Sequence, residues 1–214
     1  MIKIAIDGPS GSGKSTVAKA VSARLGIVYV DTGALYRSIG YYVKEKGVDP
    51  HDEVAVKALL PEIKLDIKYF RSLGDRIRRP EISMYASAVS AIGAVRAFLL
   101  ETQREIARKN SVIMDGRDIG TVILPDADVK IFMTASPEAR AKRRYDELNA
   151  KGMNVKYDDV LREMIERDKN DSERDIAPCV PAPDAVIFDN SGYGLDESVS
   201  HVIEIIESKV GAKK

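Results

Sequence analysis

Gly8-Pro9-Ser10-Gly11-Ser12-Gly13-Lys14-Ser15, followed by Thr16, puts small residues where a loop must pass close to an anion and ends on a cation and two hydroxyls. The spacing is G-x-x-x-x-G-K-[ST]. Small side chains let backbone N–H groups curl around phosphate oxygens. A helix opening at the same point adds roughly half a positive charge. Lys14 can meet a transferring phosphoryl group, and the Ser15 hydroxyl can hold Mg²⁺ directly or through water. A bare glycine turn between strand and helix is the bland alternative, and the complete motif in its required setting favours nucleotide binding. The motif does not choose the reaction, because kinases, switch GTPases and transport ATPases share it. An Asn-Lys-x-Asp signature for guanine is not found; Lys169-Asn170-Asp171 has a different order.

The acceptor chemistry rests on two further clusters. Asp31-Thr32-Gly33-Ala34-Leu35-Tyr36-Arg37 contains a helix cap, for which Thr32 is suited, and then an aromatic ring and a guanidinium that could meet a base or ribose and a phosphate. Asp115-Gly116-Arg117-Asp118-Ile119-Gly120-Thr121 places an acid at the end of an apolar run, as in sites that orient Mg²⁺ or its waters. Tyr36 could instead be a core aromatic and Asp115 a simple turn residue. Downstream, Arg140, Arg143 and Arg144 share one helical face, as do Arg167, Asp171 and Arg174. Solvated i,i+4 ion pairs, worth about 0.3–0.5 kcal/mol each, would explain both patterns without a ligand. Beside a phosphate loop, Arg167 and Arg174 read better as anion contacts, and the other three stay open.

Elements must hold these groups in place. Short Val- and Ile-rich runs at 2–7, 27–30, 111–115, 129–135 and 185–189 alternate with helical patterns at 14–25, 33–46, 94–109, 137–150 and 195–210. The runs show little polar alternation, as strands covered on both faces should. The expected fold is α/β, a three-layer α/β/α sandwich on a five-stranded parallel sheet. In such sheets ligands collect at the carboxyl ends of strands, where all three clusters fall. Two segments interrupt the rhythm. Ile63-Lys64-Leu65-Asp66-Ile67-Lys68-Tyr69, with Ile77 and Ile82 beyond, suggests a small antiparallel sheet within an insertion at 38–85. A charged stretch at 140–175, broken by Gly152, suggests a helical lid or an exposed hairpin.

Composition narrows the partners. The 214 residues carry 33 Lys+Arg and 33 Asp+Glu, so no net charge draws the chain to nucleic acid or membrane. One cysteine, Cys179, and two histidines supply neither a disulfide nor a thiolate zinc set. The N-terminus reaches Asp7 and Gly8 before a signal-peptide core could form. A monomeric single domain in the cytoplasm is expected.

Taken in order and spacing, these motifs resemble bacterial-type cytidylate kinases over nearly the whole chain: Gly8–Thr16, Asp31–Arg37, Asp115-Gly116-Arg117-Asp118-Ile119-Gly120-Thr121-Val122, Pro125-Asp126-Ala127, and Glu166-Arg167-Asp168 with Asp171 and Arg174. The resemblance implies ATP as donor, Mg²⁺ as cofactor, CMP or dCMP as acceptor, and a fold with a monophosphate-binding insertion and a short lid. It implies that Thr32, where the family often has serine, lies near the nucleotide. Tyr36 would line the acceptor pocket and Arg37 would grip its phosphate. Ser87 and Arg96 would read the cytosine edge and hold base or phosphate. Arg117 would bind phosphate and Asp118 the sugar hydroxyl, with Asp171 at the sugar and Arg174 at the phosphates. Lys14, Asp115, Arg117, Arg167 and Arg174 would carry the transfer. The nearest rival is a small P-loop kinase for another monophosphate or metabolite. A nucleotide-dependent switch is the rival from outside that class, and it gives the lid arginines and Tyr36-Arg37 no purpose.

Overall fold

A computed structural model describes residues 1–63 and 73–211. Five strands form one sheet: β1 (Lys3–Asp7), β2 (Val28–Asp31), β3 (Val112–Gly116), β4 (Val129–Thr134) and β5 (Val186–Asp189), in the order β2-β3-β1-β4-β5. β1 runs parallel to both β3 and β4, and β4 runs parallel to β5. Because β1 is central and its register pairs Ile6 with Asp115 and Asp7 with Gly116, the ends of β1 and β3 lie side by side. That crevice at the strands' carboxyl ends is where a parallel sheet of this kind takes ligands.

The chain divides into two compact units, Met1–Val30 with Lys109–Lys214, and Asp31–Arg108. In the first, α1 (Lys14–Leu25) and α8 (Leu195–Gly211) cover the sheet. Val17, Ala18 and Val21 of α1 and Val199, Val202 and Ile206 of α8 pack with Ile4, Ile6, Ile113, Ile131 and Met133 of the strands. Each buried Ile or Val side chain contributes about 1.5–3 kcal/mol relative to exposure, so this one cluster dominates the stability of the sheet. α6 (Pro137–Ala150) and α7 (Tyr157–Glu173) pack on each other through Ala141, Leu148, Val160 and Met164. Ser136 caps α6 by accepting from the Ala139 N–H, and Pro137 fills its first position, where the absent N–H is not missed.

The second unit is helical where described: α2 (Thr32–Glu45), α3 (Glu53–Leu59), α4 (Pro80–Ser90) and α5 (Gly93–Lys109). Gly40 is needed where α2 crosses α4, since a Cβ there would stand 2.8 Å from the Ala86 backbone nitrogen. The antiparallel sheet expected around 63–82 is not what the described part contains. Ile77 lies in a tight helical turn, Gly74–Arg78, and Ile82 in α4, and both are buried with Leu73 beside Ala34 and Tyr41. The reason is local: Pro80 starts a helix, and Ile82, Ala86 and Val89 fall on one face at helical spacing. Residues 64–69 of that expectation lie outside the described residues. The other elements match their expected spans to within about two residues, which is ordinary fraying at element ends. Among the described residues, no single helix is long and apolar enough to cross a membrane.

Candidate active site

β1 ends on Asp7 and the chain turns at once into the glycine loop. Gly8 has φ +149°, and a Cβ there would stand 2.0 Å from the Met133 carbonyl oxygen, so only glycine can pass this close to β4. Gly11 and Gly13 also have positive φ, and Gly13 starts α1 in the left-handed conformation. These alternations make a concave run of N–H groups, an anion nest closed by a helix N-terminus. Lys14 is buried at its rim and donates to the Pro9 carbonyl at 2.9 Å. Burial, and then the nearby Arg117 charge, lower its pKa to about 7 against the pull of Asp115.

Asp115, at the end of β3, accepts from Ser15 Oγ at 2.5 Å and from Tyr29 Oη at 2.9 Å. A hydroxyl beside a carboxylate is a pair of hard oxygen donors, which suits Mg²⁺ completed by water and phosphate oxygens. The donor set therefore fits that ion. Asp7 accepts from the Ile119 and Gly120 N–H groups at 2.7 Å each, which ties the wide helical turn Ile119–Ile123 to the phosphate-loop strand. Burial pushes its carboxyl up to about 6, although both backbone donors favour the ionised form.

Arg117 and Asp118 leave β3 just before that turn, and Asp118 is buried. Arg117 Nε donates to Asp171 Oδ2 of α7 at 2.8 Å, and the Arg174 guanidinium stands 3.9 Å from the other Asp171 oxygen. Burial works against the Arg117 charge, but the surrounding negative groups, Asp171 first, together outweigh it and raise the Arg117 pKa; reciprocally, burial would raise the Asp171 pKa and the arginines, Arg117 first, pull it down. Arg174 falls one residue beyond α7 rather than on it, and Nε donates to the Ala177 carbonyl. Arg167 lies close enough to act electrostatically on both Lys14 and Asp171. So Lys14, Asp115, Arg117, Arg167, Asp171 and Arg174 gather in one unit around the glycine loop.

In the other unit, Asp31 caps α2 by accepting from the Ala34 N–H at 2.7 Å and pairs with Arg37 at 2.9 Å. The cap is thus Asp31, and Thr32, suited to that role by sequence, is the first helical residue and buried; the longer reach of the carboxylate serves both the helix end and the arginine. The Arg96 guanidinium lies 5.7 Å from the Tyr36 ring centre, within cation–π range, and Nη1 donates to the Ser90 carbonyl. Ser87, half-buried on α4, joins this group through its carbonyl, which accepts from Ser90 Oγ.

Of the three arginines left open, Arg144 behaves as a surface residue, paired with Glu147 three positions on. Arg140 does not: it is buried, donates to the Ala135 and Ser10 carbonyls and pairs with Asp168. Arg143 holds Asn190, whose amide donates to the Ser12 carbonyl. Asp7, Tyr29, Asp31 and Asn190 carried no role in the sequence reading. For Asp7 and Asp31 the signal was present, an acid at the end of an apolar strand; for Tyr29 and Asn190 only the folded geometry gives one.

The cytidylate kinase family model matches residues 4–208. The cytidylate kinase of Fervidobacterium nodosum is 48% identical over 217 residues, covering 99% of each chain. That of Thermosipho melanesiensis is 48% identical over 97% of each, and that of Bacillus licheniformis 43% over 96% of each. Among solved structures, a shikimate kinase from Bacteroides thetaiotaomicron superposes with a TM-score of 0.50 at 14% identity, covering 96% of this chain and 98% of its own, a likeness of fold.

Proposed function

This chain belongs to the cytidylate kinase family, and from that premise we propose that it transfers the γ-phosphoryl group of ATP to CMP or dCMP, giving ADP and CDP or dCDP. The observation that carries the reading is the buried Lys14 at the rim of a complete phosphate loop, with the charges of Arg117 and Arg167 both near enough to act on it. Phosphoryl transfer asks little covalent help of a protein; it asks for alignment and for charge where the equatorial oxygens become more negative. In this reading the N–H groups of residues 8–16 hold the donor phosphates and Lys14 follows the moving group. Mg²⁺, held at Ser15 with Asp115 behind it, would supply neutralisation of the β- and γ-oxygens. The attacking monophosphate oxygen is already ionised at neutral pH, so no general base is required.

We assign Arg117 to phosphate, Asp118 and Asp171 to the sugar hydroxyls, and Arg167 and Arg174 to charge spreading over the transferring group. Thr32, Tyr36, Arg37, Ser87 and Arg96 are assigned to the monophosphate and its base; the Asp31–Arg37 and Tyr36–Arg96 contacts support the pairing of those residues. The segment 140–175 is read as a lid that excludes water when closed, and 38–85 as the monophosphate-binding insertion. The zero net charge supports small nucleotides as partners over nucleic acid or a membrane, and the single buried thiol fits a reducing cytoplasm, with the chain acting as a monomer.

Transfer is tested directly with ATP carrying ¹⁸O on its γ-phosphoryl group. Mass spectrometry should find the label in the β-phosphoryl group of newly formed CDP. Label released only as inorganic phosphate would overturn the reading.

A further inference from the structure

The phosphate loop is held from behind by groups outside its own motif. A trans peptide is planar and points its C=O and the next N–H in opposite directions. Anchoring a loop carbonyl outward therefore turns the following N–H inward. The Ser10 carbonyl is anchored by Arg140 Nη1 of α6 at 2.9 Å, which aims the Gly11 N–H the other way. The Ser12 carbonyl is anchored by Asn190 Nδ2, at the end of β5, at 3.0 Å, which does the same for Gly13. Gly11 and Gly13 have φ of +74° and +84°, conformations that a free glycine chain occupies only part of the time. Asn190 is itself fixed: it is buried, its N–H donates to the Thr134 carbonyl, and Arg143 of α6 donates to both its side-chain and main-chain oxygens at 3.3 and 2.7 Å. Arg140 is fixed by the Ala135 carbonyl and by Asp168 of α7.

We propose that Asn190, held by Arg143, and Arg140 are positioning residues of the phosphate loop, which turn the Gly11 and Gly13 N–H groups toward the donor phosphates. The proposal rests on the phosphate-loop part of the functional reading and not on the identity of the acceptor. Both arginines that steady the loop, Arg140 directly and Arg143 through Asn190, stand one turn apart on α6.

The decisive variant is Asn190→Asp. It keeps the size of the side chain and strengthens its contact with Arg143, but it faces the Ser12 carbonyl with an acceptor instead of a donor. Calorimetric titration of the full-length variant with ADP, with inorganic pyrophosphate and with CMP reads the effect. The expected result is ADP and pyrophosphate binding weakened about tenfold or more, the scale of one hydrogen bond turned unfavourable, with CMP binding unchanged. Thermal unfolding should stay within a few degrees of the native chain, since the new Asp–Arg143 pair replaces what is lost. If Asn190 served only to brace Arg143, Asn190→Asp would bind ADP as well as the native chain, and that result overturns the proposal. Should Asn190→Asp not fold, Arg143→Gln reads the same link from a half-exposed position: weaker ADP binding supports the proposal and unchanged binding overturns it. Failure of the native chain itself to bind ADP would instead overturn the phosphate-loop reading beneath both.

Discussion

Lys14, assigned here to the transferring phosphoryl group, carries a cost to the fold. Its ammonium is buried beside Arg117, and its pKa falls to about 7. The folded chain therefore binds this proton less tightly than the unfolded chain, so its contribution to stability rises as pH climbs from about 7 toward 10.5 and is lowest below 7. Phosphate oxygens reverse the preference and draw the proton back. ADP binding near pH 7.5 should then take up a fraction of a proton, measured by titration in buffers of different ionisation enthalpy, and affinity should weaken as pH rises above 7. Binding without proton uptake would contradict the lowered Lys14 pKa. Lys14→Met should melt higher than the native chain at pH 6 while losing about a hundredfold or more in turnover. Gly33 gives a second residue-level case, since a Cβ there would stand 2.8 Å from Arg37 Nη1. Gly33→Ala should leave the melting temperature nearly unchanged, because only a flexible tip must move, and should raise KM for the monophosphate with KM for ATP unaffected. Lys14 and Arg37 stood out as candidates from type and spacing. Asn190 was not, because its role depends on where β5 ends beside a loop 178 positions earlier.

Elements were legible where one pattern dominated. The inner strands β1, β3 and β4, largely buried, read as Val- and Ile-rich runs, and α1 and α6 begin on a phosphate-loop or capping signal. α4 was hidden because its apolar face, Ile82, Ala86 and Val89, is small and interrupted by Ser83, Ser87 and Ser90, while Ile77 and Ile82 imitate the continuation of an alternating strand. Its packing is nonetheless tight. Gly40→Val should destabilise the chain by about 1–3 kcal/mol, as overpacking against fixed backbone does, measured by urea unfolding; the backbone of α4, unlike the Arg37 tip, cannot step aside. After α7 the opposite change should help. Ala177 has φ +51°, a left-handed conformation that costs a residue with a Cβ about 1–2 kcal/mol, and its carbonyl receives Arg174 Nε. Ala177→Gly should therefore raise the melting temperature, and a fall would show that Ala177 packs more usefully than its backbone suggests.

Across the whole molecule, the sheet order β2-β3-β1-β4-β5 brings together groups far apart in sequence. Asp7 reaches Ile119 and Gly120, Ser15 reaches Asp115, and Arg117 reaches Asp171. Alternation of strands and helices predicted a parallel sheet, and the motifs predicted that its carboxyl edge carries the chemistry. The sequence could not reveal that Asp7, buried and raised to about 6, would be the group that binds the turn after β3 to the turn after β1. The central claim is that ATP is consumed against a cytidine monophosphate acceptor. ADP formation from Mg-ATP, followed separately with CMP, dCMP, UMP, AMP, GMP and no acceptor, tests it most directly. Rapid ADP release with CMP and dCMP, and little with the purine monophosphates or with none, is the predicted result. ADP release indifferent to every acceptor would contradict it and return the chain to the class of nucleotide switches.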